Sequence, residues 1–261
     1  MQLPLEVRLK LLRQRVLAAL GVGGHRPVRL LKTPGGLAVE VDGRQIHVPS
    51  PLRWKLYRQG WAARLDRLEL EYGVGRHFRL HPGDVVLDVG ANVGEFAFVA
   101  DRHRARIFCV EPDPTVFSCL AANIAGLAGA SAHELVVWKE SGEIDFGLAP
   151  DRADSSVFTD GAARIKRQAQ TLADFAREHA LARADLLKCD AEGAEPEVLE
   201  GAGQFLAKIR AVALDTGPER NGQPTALPCA EILAKAGFRV LHETIGTRKM
   251  TYGINLRNTP T

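Results

Sequence analysis

Cysteine is scarce in this chain and forms no recognisable pattern. Its 261 residues hold four, Cys109, Cys119, Cys189 and Cys229, and none makes the C-x-x-C pair of a zinc or redox motif. Cys109 and Cys189 fall inside apolar runs that read as core strands, where a reduced thiol acts as a small apolar group. That usage excludes a disulfide scaffold and suits a reducing cytoplasm. No apolar run approaches the ~20 residues of a membrane-spanning helix, and no signal-type hydrophobic region opens the sequence. Neither sign of charge dominates, with 34 Lys and Arg against 31 Asp and Glu. No basic run is interleaved with aromatics, so a nucleic-acid surface has no support. Internal repeats and low-complexity segments are absent. Two cofactor signatures are missing as well, the G-x-G-x-x-G dinucleotide fingerprint and the G-K-[ST] of a P-loop.

What is present is VVLDVGANVGEF, Val85 to Phe96. Branched apolar residues run into Asp88, and Gly90 and Gly94 then bracket Asn92 before a helical pattern begins. This reads as a buried parallel strand, a glycine turn and a helix start. Such a turn lets backbone approach a ligand, and a helix start offers unpaired N–H groups. Asn92 stands where a dinucleotide loop needs its middle glycine. An acid before the glycines suits a cofactor carrying cationic groups, and S-adenosylmethionine (SAM), with its ammonium and sulfonium, fits. A second buried strand, ARIFCVEPDP, ends in Glu111 about one helix and one strand later. That is the position from which an acid reaches both ribose hydroxyls.

The N-terminal stretch is amphipathic, with Leu5, Leu9, Leu12, Val16 and Ala19 at helical spacing and Arg8, Arg13 and Arg15 on other faces. It is expected to pack on its own domain or on a second copy in a homodimer; peripheral contact with an anionic membrane is the alternative. GVGGHRP (residues 21–27) is a linker. Strands follow in VRLLKT and LAVEVDGRQIHV, with Asp42-Gly43 as a hairpin turn. A helix is expected over residues 52–72, its Trp54, Tyr57 and Trp61 forming a core stripe or, less commonly, a sugar-stacking wall. From Val85 strands and helices alternate. Strands are expected at 85–89, 106–111, 133–138, 185–190, 210–215, 237–242 and 250–256. This predicts an α/β fold of one mostly parallel seven-stranded sheet with helices on both faces. Residues 1–79 are read as a helical and β-hairpin extension for substrate or oligomerisation, and 80–261 as the main domain. The long run from Gly142 to Gln170 is expected to be part of a substrate lid.

DLLKCDAEGAEPEVLEGA (residues 185–202) delivers Asp190 and Glu192 to the end of another strand, with Gly193 turning the chain into a helix. Strand carboxyl ends in such sheets face the ligand crevice. Asp88, Glu111, Asp190 and Asp215 should therefore converge, and a divalent ion held by Asp190 and Asp215 is one way to relieve their repulsion.

LDVGANVGEF, CVEPDP, QTLADF and above all LLKCDAEGAEPEVLEGA resemble the FkbM-type SAM-dependent methyltransferases, over roughly residues 80–240. The resemblance implies a class I, Rossmann-like methyltransferase fold and O-methylation of sugars or of hydroxyls on secondary metabolites such as polyketides. It implies that Asp88, Gly90, Ala91, Asn92, Gly94 and Glu95 hold SAM from one loop and Glu111, Pro112 and Asp113 from the next. Asp190 and Glu192 would lie near the methyl or methionyl end. Trp138 departs from the small residue usual there and is expected to stack on adenine or simply fill space. Asp154-Ser155-Ser156 matches a serine-rich segment of the family and is expected to touch substrate or cofactor. Glu192 or Asp190 is the expected general base, with His133 and His242 as outsiders. The Arg-rich segments at residues 53–64 and 163–167 offer cations for a phosphate or carboxylate on the acceptor, or serve as solvated faces. A glycan, a glycolipid or a small secondary metabolite are the acceptors in view. A non-catalytic SAM-binding protein is the competing class, and a nicotinamide oxidoreductase is disfavoured by the glycine spacing.

Overall fold

In the computed structural model, which describes residues 5–149, 155–158 and 163–257, the chain begins with helix α1 (Leu5–Ala19). Its buried face is Val7, Leu11 and Gln14, while Leu5, Leu9, Leu12 and Val16 are exposed. The stripe expected to pack on the domain therefore points outward. Gln14 helps select the other face: its Nε2 donates to the Arg26 and Arg58 carbonyls at 2.9 and 2.8 Å. No helix among the described residues is long and apolar enough to cross a membrane.

A three-stranded antiparallel sheet follows, of β1 (Val28–Thr33), β2 (Gly36–Val41) and β3 (Arg44–Val48). Asp42 and Gly43 both take positive φ, 50° and 73°, the turn geometry that matches strand twist in a tight hairpin. The single helix expected over 52–72 is two pieces, a 3-10 helix (Pro51–Tyr57) and α2 (Trp61–Glu71). Gly60 separates them with a φ of 98°. Asp42 Oδ2 then accepts the Trp61 N–H at 2.8 Å, so the hairpin turn caps α2. Trp54, Tyr57 and Trp61 are all buried and act as a core stripe, not a sugar-stacking wall.

The remaining elements are β4 (Val85–Val89), α3 (Glu95–Arg102), β5 (Arg106–Val110), α4 (Pro114–Ile124), β6 (Ala130–His133), β7 (Val136–Val137), β8 (Gly142–Leu148), β9 (Ala163–Gln170), α5 (Leu172–Glu178), β10 (Ala184–Cys189), α6 (Glu195–Ala202), β11 (Ile209–Asp215), α7 (Ala226–Lys235), β12 (Phe238–Ile245) and β13 (Arg248–Asn255). Seven of these strands make one sheet in the order β12-β13-β11-β10-β4-β5-β6. Only β13 runs against its neighbours. This is the α/β sheet of the class I methyltransferase type that the resemblance implies. Its strands are apolar on both sides because both faces are covered. Val86, Ile107 and Leu186 face a cluster shared with α3, α4 and the N-terminal elements, whereas Leu87, Phe108 and Leu187 face α5, α6 and α7. Asn123 ties the small sheet to α4, accepting from His47 N at 2.7 Å and donating to the His47 and Val93 carbonyls.

Strand bounds need correction in two places, and one connecting run gains structure. The third sheet strand lies at Ala130–His133, not 133–138; Val136 and Val137 leave the main sheet to pair with β9. Within the 142–170 run, expected as part of a substrate lid, β8 and β9 pair antiparallel, on alternating residues such as Ile144, Phe146 and Ile165. The last two strands run longer than the expected 237–242 and 250–256, pairing as a hairpin with Ile245 opposite Arg248 across Gly246-Thr247.

Candidate active site

The β4–α3 turn is built on positive φ at Gly90, Asn92 and Gly94, 69°, 50° and 84°. Gly90 is the position where no side chain fits, since a Cβ there would lie 1.9 Å from the Asp190 carbonyl oxygen. The free amides expected of this turn are taken up internally. Gly90 and Ala91 N–H both donate to the Val110 carbonyl at 3.0 Å, and Gly94 N–H to the Ala91 carbonyl. Asn92 N–H donates to Glu111 Oε2 at 2.9 Å, and Val93 N–H to Asn92 Oδ1. A turn whose N–H groups are spent in this way is no phosphate cradle.

Two clefts open on this turn. The smaller, about 70 Å³, is lined by apolar residues from Val89, Val110, Pro112, Leu135, Val136 and Phe146, with Glu111 and Ser155 as polar members. The larger, about 430 Å³, is walled by the 3-10 helix, α2 and the β12–β13 turn. Gly90, Asn92, Asp190 and Glu192 line both, so the clefts meet there. Glu111 is 7% exposed and accepts from the Asn92 and Asp113 N–H groups. Burial nevertheless pushes it up to about 7, the backbone donors and Lys188 opposing.

Asp88 does not face either cleft. It is fully buried, with Lys188 Nζ 2.8 Å away. The reason is register: β4 and β10 run parallel with Lys188 opposite Asp88. Lys188 also donates to the Gly90 carbonyl at 2.7 Å, so this pair props the turn from beneath. Desolvation works against the ammonium, but Asp88 and Asp190 outweigh it and keep Lys188 charged. Asp113 is buried too; it caps α4 by accepting from Thr115 N–H and takes a 3.1 Å hydrogen bond from Ser155 Oγ. Ser155 thereby joins the β8–β9 hairpin to the smaller cleft, while Asp154 lies outside the described residues. Gly94 packs on Leu120 and Ile124. Trp138 lines neither cleft and sits 6.0 Å from the Phe158 ring; Val136 and Val137 lie in the smaller cleft instead.

Glu95 lines the larger cleft but is engaged. Arg64 forks onto both its oxygens at 2.8 and 2.7 Å, with Arg53 3.6 Å away. Burial works to raise its pKa, yet the two guanidinium groups hold it at about 2.

Asp190 accepts from Tyr72 Oη at 2.7 Å and Arg248 Nη1 at 2.8 Å. Burial opposes its charge, but Arg248 and Lys188 prevail and hold it at about 2. The same Arg248 nitrogen reaches Asp215 Oδ2 at 2.7 Å. Burial and Asp190 push Asp215 up to about 6. Glu219 joins the pair, the three carboxylates offering oxygens within 4.8 Å of one another. Burial, then Asp190 and Asp215, push Glu219 up to about 9. A guanidinium thus sits between the two acids expected to share a metal ion.

Glu192 takes a φ of 51° and Gly193 one of 94°. The turn is fastened by Glu195, whose Oε1 accepts from Ala191 and Gly193 N–H while Oε2 accepts from Thr225 Oγ1. His133 is packed among Phe108, Phe175 and His179, where burial lowers it to about 4. His242 lies on β12 beside Thr251. Neither histidine lines the two clefts.

Lys188, Tyr72, Arg248, Glu195 and Glu219 escaped the sequence reading. Only Lys188 left a signal, a lysine inside the otherwise apolar run LLKC.

Comparison with known proteins locates relatives for this arrangement. The methyltransferase FkbM domain family matches residues 88–240. The 2-O-methyltransferase NoeI of Sinorhizobium fredii is 29% identical over 149 residues, 49% of this chain and 61% of NoeI. The 31-O-demethyl-FK506 methyltransferase FkbM of Streptomyces tacrolimicus is 29% identical over 67% of this chain and 75% of its own. The hexuronic acid methyltransferase AglP of Haloferax volcanii is 29% identical over 51% of this chain and 55% of its own. The chain thus spans less than two thirds of NoeI and AglP.

Proposed function

The chain belongs to the FkbM family of SAM-dependent methyltransferases, and from that premise we propose that it O-methylates a hydroxyl of a sugar, glycan or glycolipid. The observation that carries this reading is the meeting of two unlike clefts at Gly90, Asn92, Asp190 and Glu192. The smaller, with an apolar wall and Glu111 among its polar members, suits a planar base and a ribose. The larger, lined mostly by charged and polar side chains, suits a hydroxyl-rich acceptor. AglP, named for a hexuronic acid, supports the sugar side, and NoeI, named a 2-O-methyltransferase, supports transfer to oxygen. The FkbM relative is named for 31-O-demethyl-FK506, and it supports a small secondary metabolite as the second reading.

Glu111 would hold the ribose, since each carboxylate oxygen keeps a lone pair beyond its backbone N–H bond. Gly90, Ala91 and Asn92 would bracket the methionyl part. Asp88 acts on this site through Lys188 and the Gly90 carbonyl. When bound, SAM supplies a methyl group on a cationic sulfur and departs as S-adenosylhomocysteine, which keeps the electron pair of the broken bond. The chain's own part is to align the acceptor oxygen and take its proton. Of the two expected bases, Glu192 is the better one. Asp190, held at about 2 by Arg248 and Lys188, is a weak proton acceptor, and base efficiency rises with pKa. Asp190 with Tyr72 and Arg248 instead forms a rigid wall beside Glu192.

Calorimetric titration of SAM and S-adenosylhomocysteine, followed by turnover with a panel of glycans and polyketide-type alcohols, tests the proposal. Cofactor binding with methylation of a sugar hydroxyl is the expected result. Methylation of the alcohols alone moves the chain to the second reading, and binding without any turnover supports a non-catalytic SAM-binding protein. The outward leucine stripe of α1, flanked by exposed Arg8, Lys10 and Arg13, further supports contact with an anionic membrane. Equal pelleting with anionic and neutral liposomes argues against that contact.

A further inference from the structure

The larger cleft carries more positive charge than it neutralises. Seven cationic side chains line it against four carboxylates. Most of the cations are spoken for: Arg64 by Glu95, Arg67 by Glu71, Lys188 by Asp88 and Arg248 by Asp190 and Asp215. Lys55 and Arg58 are different. Both stand exposed at the cleft wall, and neither makes an ion pair among the described residues. Beside them Arg53 keeps only a 3.6 Å approach to Glu95, and its Nε is buried without a hydrogen-bond partner. A buried donor without a partner marks a place where a ligand acceptor is stabilising. The basic line continues past the cleft. Lys55 and Arg58 also border a neighbouring cavity of about 480 Å³, with Arg13 of α1 on its far side.

The second Arg-rich segment does not compete for this role. Lys166 pairs with Asp145 and Arg167 with Glu134 on the β8–β9 side, and neither lines the larger cleft.

We propose that Arg53, Lys55 and Arg58 form an anion subsite, and that the acceptor carries a carboxylate or a phosphate near the hydroxyl that is methylated. This rests on the reading of the larger cleft as the acceptor site. The subsite lies on the N-terminal extension, whereas the proton-accepting Glu192 lies on the turn that follows β10, so the extension supplies acceptor recognition. An arginine offers a forked pair of donors that matches the planar oxygens of either anion.

The test uses the full chain saturated with S-adenosylhomocysteine. Glucuronate, glucose 1-phosphate and glucose are titrated in turn, with binding followed by calorimetry. The same titrations are run on Lys55→Ala, Arg58→Ala and the double variant. The expected result is that at least one anionic sugar binds about tenfold or more tightly than glucose, the range of a charge-assisted hydrogen bond. That advantage disappears in the double variant while S-adenosylhomocysteine affinity and thermal midpoint hold. Preference for glucuronate or for the phosphate identifies which anion the subsite takes. Equal binding of all three sugars, or no binding of either anion, overturns the proposal. A double variant that loses S-adenosylhomocysteine affinity overturns it too, because the cations then hold the cofactor's carboxylate. A wild-type chain that fails to bind S-adenosylhomocysteine at all refutes the methyltransferase reading itself, and that outcome is visible before any sugar is added.

Discussion

Replacing Lys188 by Met should damage stability far more than a single surface-to-core count suggests. Lys188 is 4% exposed and Asp88 is not exposed at all, and no hydrogen bond to either Asp88 oxygen stands in reserve. The substitution leaves a buried carboxylate without its counterion, a change that costs about 3–5 kcal/mol. It also strips the Gly90 carbonyl of its donor. Against a total stability of about 5–15 kcal/mol, a loss near the upper end would leave little folded protein at 37 °C. Urea unfolding followed by circular dichroism measures it, with an unchanged slope showing that the midpoint shift is a stability change. The effect must also depend on pH. Burial already raises Asp88 above the ordinary aspartate value despite Lys188 beside it, and without Lys188 its folded-state pKa rises further. The folded form then protonates first on acidification, so the deficit is greatest at pH 8 and shrinks toward the ordinary aspartate range. Adding Asp88→Asn to Lys188→Met removes the stranded charge and should recover more than half of the loss. A deficit below about 1 kcal/mol, or one that is the same at pH 5 and pH 8, would show that the pair contributes no more than a surface salt bridge.

Three further outcomes are expected. Glu192→Gln should lower kcat by about 100-fold or more, the contribution of a positioned general base, and leave S-adenosylhomocysteine affinity intact; turnover like that of the wild type removes Glu192 from the proton-accepting role. Glu111→Gln should weaken SAM binding by calorimetry. It should also flatten the pH dependence of stability: a carboxyl raised to about 7 in the fold contributes stability below the unfolded glutamate range that is lost as pH rises through 7. An unchanged slope between pH 4.5 and 7 counts against the buried placement of Glu111. Finally, dialysis against EDTA should leave turnover unchanged, because the Arg248 guanidinium already lies between Asp190 and Asp215. Activity that falls on chelation and returns with a divalent ion reverses that expectation.

The glycine turn, Glu111 and Asp190 at their strand ends and most of the alternation from Val85 onward were legible, because each is a local pattern with a local cause. Short continuous apolar runs make strands covered on both faces, and positive φ selects Gly or Asn. What escaped was set by register and by elements far apart in sequence. Nothing near Asp88 says that the residue opposite it, on β10, is a lysine. Tyr72 from the end of α2 and Arg248 from the start of β13 reach Asp190 only because the sheet order places β13 beside β11 and β11 beside β10. The same limit explains Trp138. Its position after a presumed third strand pointed to adenine, but β6 ends at His133 and the next two residues in strand form pair with β9. That change of partner swings Trp138 onto Phe158 and leaves the smaller cleft to Val136 and Val137.

The charge arrangement around Asp190 also explains why two acids separated by one residue are suited to different work. Asp190 follows a strand that itself carries Lys188, β13 beyond β11 delivers Arg248, and the carboxylate is held ionised as a fixed negative wall. Glu192 stands on the left-handed turn that follows, bordering both clefts. The turn cannot drift, because Glu195 binds two of its amides and a Cβ on Gly193 would press on the Arg220 backbone at 2.9 Å. Rigidity of this kind is what proton transfer to a positioned carboxylate requires, since a displacement of about 1 Å costs a large part of the rate. Glu195→Gln and Gly193→Ala, neither of which removes an acid from the clefts, should therefore lower kcat while sparing SAM affinity. If both variants keep full kcat, the turn does not position Glu192 and the base must be sought elsewhere in the larger cleft.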